Sequence, residues 1–101
     1  VGYLLDNLPP KKDQIVECPK LYTLVLKVKH RSDYFAMIAG ETDDTIGKII
    51  RSVVPDPEDW QYSGRYRGFV DFRFHIPGQR SRAQEELRFK GYYTETKDEL
   101  P

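Results

Sequence analysis

The chain reads as an α+β domain: a mixed, mostly antiparallel sheet of four or five strands with one helix packed across it. Two stretches predict strands. "LYTLVLKVKH" (21–30) and residues 68–76 of "GRYRGFVDFRFHIPG" alternate apolar and polar side chains with a period of two. A third stretch predicts the helix. In "TDDTIGKIIRSVVP", Ile46, Ile49, Ile50, Val53 and Val54 fall at i, i+3, i+4, i+7 and i+8, one apolar stripe of an amphipathic helix.

Residues 1–20 form an extended lead-in, because Pro9-Pro10 blocks helix; Tyr3, Leu4, Leu5 and Leu8 are free there to dock on the core or on a partner. In the first strand Tyr22, Leu24, Leu26 and Val28 share one face, and Thr23, Val25, Lys27 and Lys29 the other. "YFAMIAG" (34–40) is a short apolar run, read as a second strand in a hairpin with the first. Thr42 or Asp43 caps the helix over 43–54, Asp43 and Asp44 suit its positive end, and Pro55 and Pro57 stop it. Gly47 inside that helix costs about 1 kcal/mol relative to Ala, so close packing is expected there.

"DPEDWQYSGRY" reads as a loop whose Trp60 and Tyr62 fold back on the core. "QRSRAQEELRF" reads as a short helical turn or a polar loop, and 86–96 as a last strand with Leu87, Phe89 and Tyr93 on one face. The domain is expected over 21–96, with 97–101 a polar tail. The expected core is Leu24, Leu26, Val28, Phe35, Ile38, Ile46, Ile49, Ile50, Val53, Phe72 and Phe74.

At 101 residues the chain is long enough for one core without disulfides. Its 16 basic and 16 acidic residues cancel, which argues against a general polyanion binder. The charges are unevenly placed: 41–59 is mostly acidic and 64–91 mostly basic. No run is long enough for a transmembrane helix. One cysteine and no signal-peptide pattern point to an intracellular setting, cytoplasm or nucleus.

"FAMIAGETDDTIGKII" resembles the second strand and helix start of ubiquitin-like (β-grasp) domains, with Asp44-Thr45-Ile46 matching the polar residues and first core isoleucine. The resemblance spans residues 21–54 and implies a β-grasp-like interaction module. The chain ends in Leu100-Pro101 and lacks the Gly-Gly tail of conjugated members. The strand pair "KLYTLVLKVKHRS" and "GRYRGFVDFRFHI" also looks like strands of rhabdovirus matrix proteins, which implies an assembly role.

Catalytic and metal chemistry find little to work with. His30, His75 and Cys18 show no HxH, HExxH or CxxC spacing, so no catalytic residue, metal site or cofactor is expected. No small-molecule substrate is expected either.

The RNP1 strand of RNA-recognition motifs reads K/R-G-F/Y-G/A-F-V-x-F/Y. Arg67-Gly68-Phe69-Val70-Asp71-Phe72-Arg73-Phe74 fits its start and end, but Asp71 stands where a second stacking aromatic belongs. Val70, Phe72, Phe74 and Ile76 form the apolar face, leaving Phe69, Asp71, Arg73 and His75 outward. An RNA-recognition motif also has one strand before its first helix, where two are read here. The leading expectation is therefore a non-catalytic protein-interaction domain, binding a protein partner or a second copy through Tyr66, Phe69, Arg73 and His75. The alternative is nucleic-acid binding or viral assembly through a basic face of Arg65, Arg67, Phe69, Arg73, Arg80 and Arg82.

Overall fold

The structure is a computed structural model that describes residues 20–99. The expectations for Tyr3, Leu4, Leu5, Leu8, Cys18 and the rest of the lead-in lie outside the described residues, as does the side chain of Phe35. The elements are β1 (Leu24–Lys29), α1 (Asp33–Ala39), α2 (Asp43–Val53), a 3-10 turn (Pro57–Asp59), β2 (Trp60–Tyr66), β3 (Phe69–Phe74), α3 (Pro77–Phe89) and β4 (Tyr93–Asp98).

The α+β class holds. The four strands form one sheet in the order β2-β3-β1-β4, and every neighbouring pair is antiparallel. Strand β3 lies between β1 and β2, and β1 between β3 and β4, which is the split β-α-β arrangement. Both α2 and α3 pack on one face of the sheet, and together they bury one core. Ile46, Ile50 and Val54 of the α2 stripe meet Leu26, Val28, Val70, Phe72 and Phe74 from the sheet, with Ala83 and Leu87 from α3. Leu24, Ile49 and Val53 pack at its margin.

The stretch 34–40 does not form the expected second strand: it is helical through Ala39. Tyr34, Met37 and Ile38 are spaced i, i+3, i+4, and Gly40 ends the helix in the left-handed region (φ 64°). Ile38 consequently faces outward and is exposed, not in the core. Among the described residues a single strand, β1, therefore precedes helix α1. The helix start after Thr42 forms as expected, with the Thr42 amide donating to Thr45 Oγ1 at 3.2 Å.

Three further segments differ. "WQYSGRY" is an edge strand, interrupted by an irregularity between Tyr62 and Gly64 that hides the alternation. "PGQRSRAQEELRF" is a full helix, started by Pro77 in the first turn. The last strand begins at Tyr93, because the chain stays helical through Phe89 and turns at Gly91 (φ 94°); it runs to Asp98, past 96. Leu87 is thus a buried helix residue, and Phe89 at the helix end is exposed.

The close link between β2 and β3 fixes the rest of the geometry. Arg67 (φ 53°) and Gly68 (φ 85°) both have positive φ, the signature of a two-residue type I′ turn. Glycine adopts that conformation freely, but Arg67 does so at a cost of about 1 kcal/mol. The turn sets Tyr66 directly opposite Phe69.

Candidate functional site

With both core helices on one side, the other face of the sheet is open among the described residues, and strand register writes its residues into three rows. The outermost row runs Tyr66 on β2, Phe69 on β3, Lys29 on β1 and Tyr93 on β4. The middle row is Gly64, Asp71, Lys27 and Glu95. The third is Gln61, Arg73, Val25 and Lys97.

The outer row concentrates aromatic rings and cations. Tyr66 and Tyr93 are both 56% exposed, and Phe69 is half-buried between them. The Phe69 and Tyr93 ring centroids lie 6.3 Å apart. Lys27 Nζ sits 5.4 Å from the Tyr66 centroid and 5.5 Å from that of Phe69, and Lys29 Nζ sits 5.6 Å from Phe69. The Arg67 guanidinium lies 5.3 Å from the Tyr66 centroid. Neither Lys29 nor Arg67 has a carboxylate within ion-pair distance among the described residues. Tyr93 donates its hydroxyl proton to Glu95 at 2.7 Å, and this bond holds the phenol above its usual pKa.

The middle row is self-neutralised. Lys27 donates to both Asp71 oxygens at 3.3 Å, and both side chains are largely buried. In the third row Arg73 is committed to the fold: it donates to Glu99, to Ser63 Oγ and to the Tyr22 carbonyl. Val25, its cross-strand neighbour, is only 2% exposed although its register places it on the open face.

The expected partner strip is therefore divided. Tyr66 and Phe69 come together at the open face. Arg73 lies two rows away with its guanidinium occupied. His75 lies beyond the strand end, edge-on to Tyr22 at 5.3 Å and 3.5 Å from Asp59. The expected basic face is divided as well. Arg67, Phe69 and Arg73 belong to the open face. Arg65 instead points to the helix side and binds Asp43, with Nη2 to Oδ1 at 2.8 Å. Arg80 and Arg82 belong to α3; Arg80 binds Asp98 at 2.7 Å and Arg82 reaches the Val53 carbonyl. Sequence reasoning missed Lys29 and Tyr93 as members of this row. Lys29 was already on the polar face of β1, whereas Tyr93 was hidden by the misplaced start of the last strand.

A second polar cluster ties the helices to the sheet. The His30 ring is hydrogen-bonded through Nδ1 to Glu41 Oε2 (3.0 Å) and through Nε2 to Asp43 Oδ1 (2.8 Å). Tyr92 donates to Glu41 at 2.9 Å and Tyr62 to Asp43 at 2.6 Å. Hydrogen bonding from Arg65, then from Tyr62 and His30, outweighs burial and holds the Asp43 carboxyl well below the usual range. Burial alone would raise Glu41, but the Arg31 amide, His30 and Tyr92 outweigh it and keep it low. Both carboxylates are saturated by neighbours, so the cluster acts as a clasp between the end of β1, the start of α2, β2 and the lead into β4. Among the described residues no group of three or more His, Cys, Asp or Glu side chains could hold a metal ion. None of the described helices is long and apolar enough to cross a membrane.

Comparison of the chain with protein-family models, with curated proteins and with solved structures returns no match.

Proposed function

We propose that this domain is a non-catalytic binding module that takes single-stranded nucleic acid on the open face of its sheet. The observation that carries the proposal is the outer row, Tyr66, Phe69, Lys29 and Tyr93, flanked by Arg67. Bases stack on exposed rings without regard to sequence, each stack contributing about 1–3 kcal/mol. Lys29 and Arg67, free of carboxylate partners among the described residues, supply the phosphate contacts.

Two further features support this reading. Arg67-Gly68-Phe69 matches the first three RNP1 positions and leads into a central strand of a four-stranded sheet. Among the described residues β1 alone precedes helix α1, because 34–40 does not form the second strand. Asp71 still occupies the second stacking position, and Lys27 neutralises its charge. Global neutrality limits the site to a short, local contact of two or three bases.

The test is fluorescence anisotropy of labelled oligo-U and oligo-dT at low ionic strength. Two phosphate contacts predict a log-log salt slope of about −1.4 for a single strand. Tyr93→Ala should weaken binding about tenfold with the circular dichroism spectrum unchanged. Absence of salt-sensitive binding would remove nucleic acid as the ligand. A protein partner or self-association through Tyr66 and Phe69 would then be the surviving reading.

A further inference from the structure

We propose that the cleft between α2 and β2, on the opposite side of the sheet from the aromatic row, binds a small aromatic monocarboxylate. The cleft has a volume of about 350 Å³, at the small end of ligand sites. Its walls are the rings of Trp60, Tyr62 and Phe72, and its rim carries Asp44, Lys48 and Arg51.

The aromatic wall is held in place before any ligand arrives. Trp60 Nε1 donates to the Val54 carbonyl at 3.0 Å. Its ring stacks on Phe74 at 6.4 Å and meets Phe72 at 5.8 Å. Gly47 faces this ring from the helix. A Cβ at position 47 would lie 3.8 Å from the Trp60 ring, an ordinary contact. Packing therefore does not require glycine there, yet a longer side chain would project into the cleft. A glycine inside a helix is destabilising, and here its effect is to leave the cleft open.

The rim sets the charge of the ligand. Lys48 and Arg51 are exposed on α2, three residues apart, and neither has an ion-pair partner among the described residues. Asp43 does not neutralise them, because its oxygens are taken by Arg65, Tyr62 and His30. Asp44 keeps one negative charge at the lip. One carboxylate is thus matched by two cations against one acid, whereas a phosphate dianion is matched less well. The ligand ring lies against Trp60 and its carboxylate takes the Arg51 fork.

Trp60 is the single tryptophan of the chain, so its emission reports on this cleft alone. The whole chain is titrated with benzoate and 1-naphthoate, and with the neutral benzamide as control. Saturable changes in Trp60 emission are expected for both acids, with benzamide about tenfold weaker or more. The double variant Lys48→Glu, Arg51→Glu should weaken binding at least about tenfold, and Lys48→Arg with Arg51→Lys should retain it. Gly47→Leu should abolish binding while its melting curve stays cooperative. Linear, non-saturating quenching by all three compounds, or a titration curve unmoved by the charge reversal, would overturn the proposal.

Discussion

Replacing Asp71 with phenylalanine should turn a weak nucleic-acid platform into a stronger one. Asp71 sits on the open face beside the aromatic row, opposite Gly64 on β2 and Lys27 on β1. Nothing lies within 4 Å of where a Cβ on Gly64 would stand, so a ring at position 71 has space to lie over the glycine. The substitution adds one stacking surface, about 1–3 kcal/mol per base, which corresponds to roughly 5- to 150-fold in affinity. It also releases Lys27 Nζ from its 3.3 Å contacts with the carboxylate. A third phosphate contact steepens the log-log salt slope from about −1.4 to about −2.1. Loss of the Lys27–Asp71 pair costs about 1 kcal/mol of stability, which a domain of this size withstands. Anisotropy titrations of oligo-U against the wild type and Asp71→Phe, at several salt concentrations, read both quantities. Equal or weaker binding by a folded Asp71→Phe protein would mean that the open face is not where bases stack.

Asp43→Ala should cost about 1–2 kcal/mol at neutral pH, measured by urea denaturation, since it removes the acid at the α2 start and the acceptor of His30. Because the folded carboxyl titrates below its unfolded value, its contribution is complete above about pH 4 and is lost as pH falls through the lower, folded value. The Asp43→Ala protein should therefore lose less further stability than the wild type on acidification, and parallel acid profiles would contradict the clasp. Gly47→Ala should stabilise α2 by up to about 1 kcal/mol in thermal melts, because the added methyl meets Trp60 at an ordinary distance; destabilisation would mean that the helix and ring stand closer. Ile38→Ser should change stability by less than about 0.5 kcal/mol, while Phe72→Ala should cost about 3–5 kcal/mol; a large loss at Ile38 would restore the buried strand first expected there.

Long, strongly patterned segments were legible in the sequence. The Ile46-to-Val54 stripe has helical period over a full segment, and 69–74 alternates without a break, so both elements and their core faces were readable. "DYFAMIA" was not, because a short apolar run is consistent with a strand or a helix, and only the i, i+3, i+4 spacing of Tyr34, Met37 and Ile38 separates them. Helix α3 was obscured by its thin apolar face: Ala83 and Leu87 are its buried residues, set among arginine, glutamine and glutamate. The same Leu87, with Phe89 and Tyr93, imitated a strand face and displaced β4.

At the candidate site, local reading found Tyr66 and Phe69, because a two-residue turn joins them in sequence. The rest of the row comes from tertiary register. Lys29 and Tyr93 meet only across β1 and β4, more than sixty residues apart along the chain. Arg73 and Arg65 looked free in the sequence, yet Glu99 and Asp43 hold them, partners that only the fold brings near.

The most direct test is the affinity of Phe69→Ala for oligo-U across a salt series, alongside the wild type. Phe69 is central to the row and half-buried between Tyr66 and Tyr93, and it carries no charge. A loss of about 5- to 150-fold in affinity is expected, with the salt slope unchanged at about −1.4, because stacking is removed and the phosphate contacts are not. Affinity unchanged by Phe69→Ala in a folded protein, or no binding by the wild type at low salt, would contradict it.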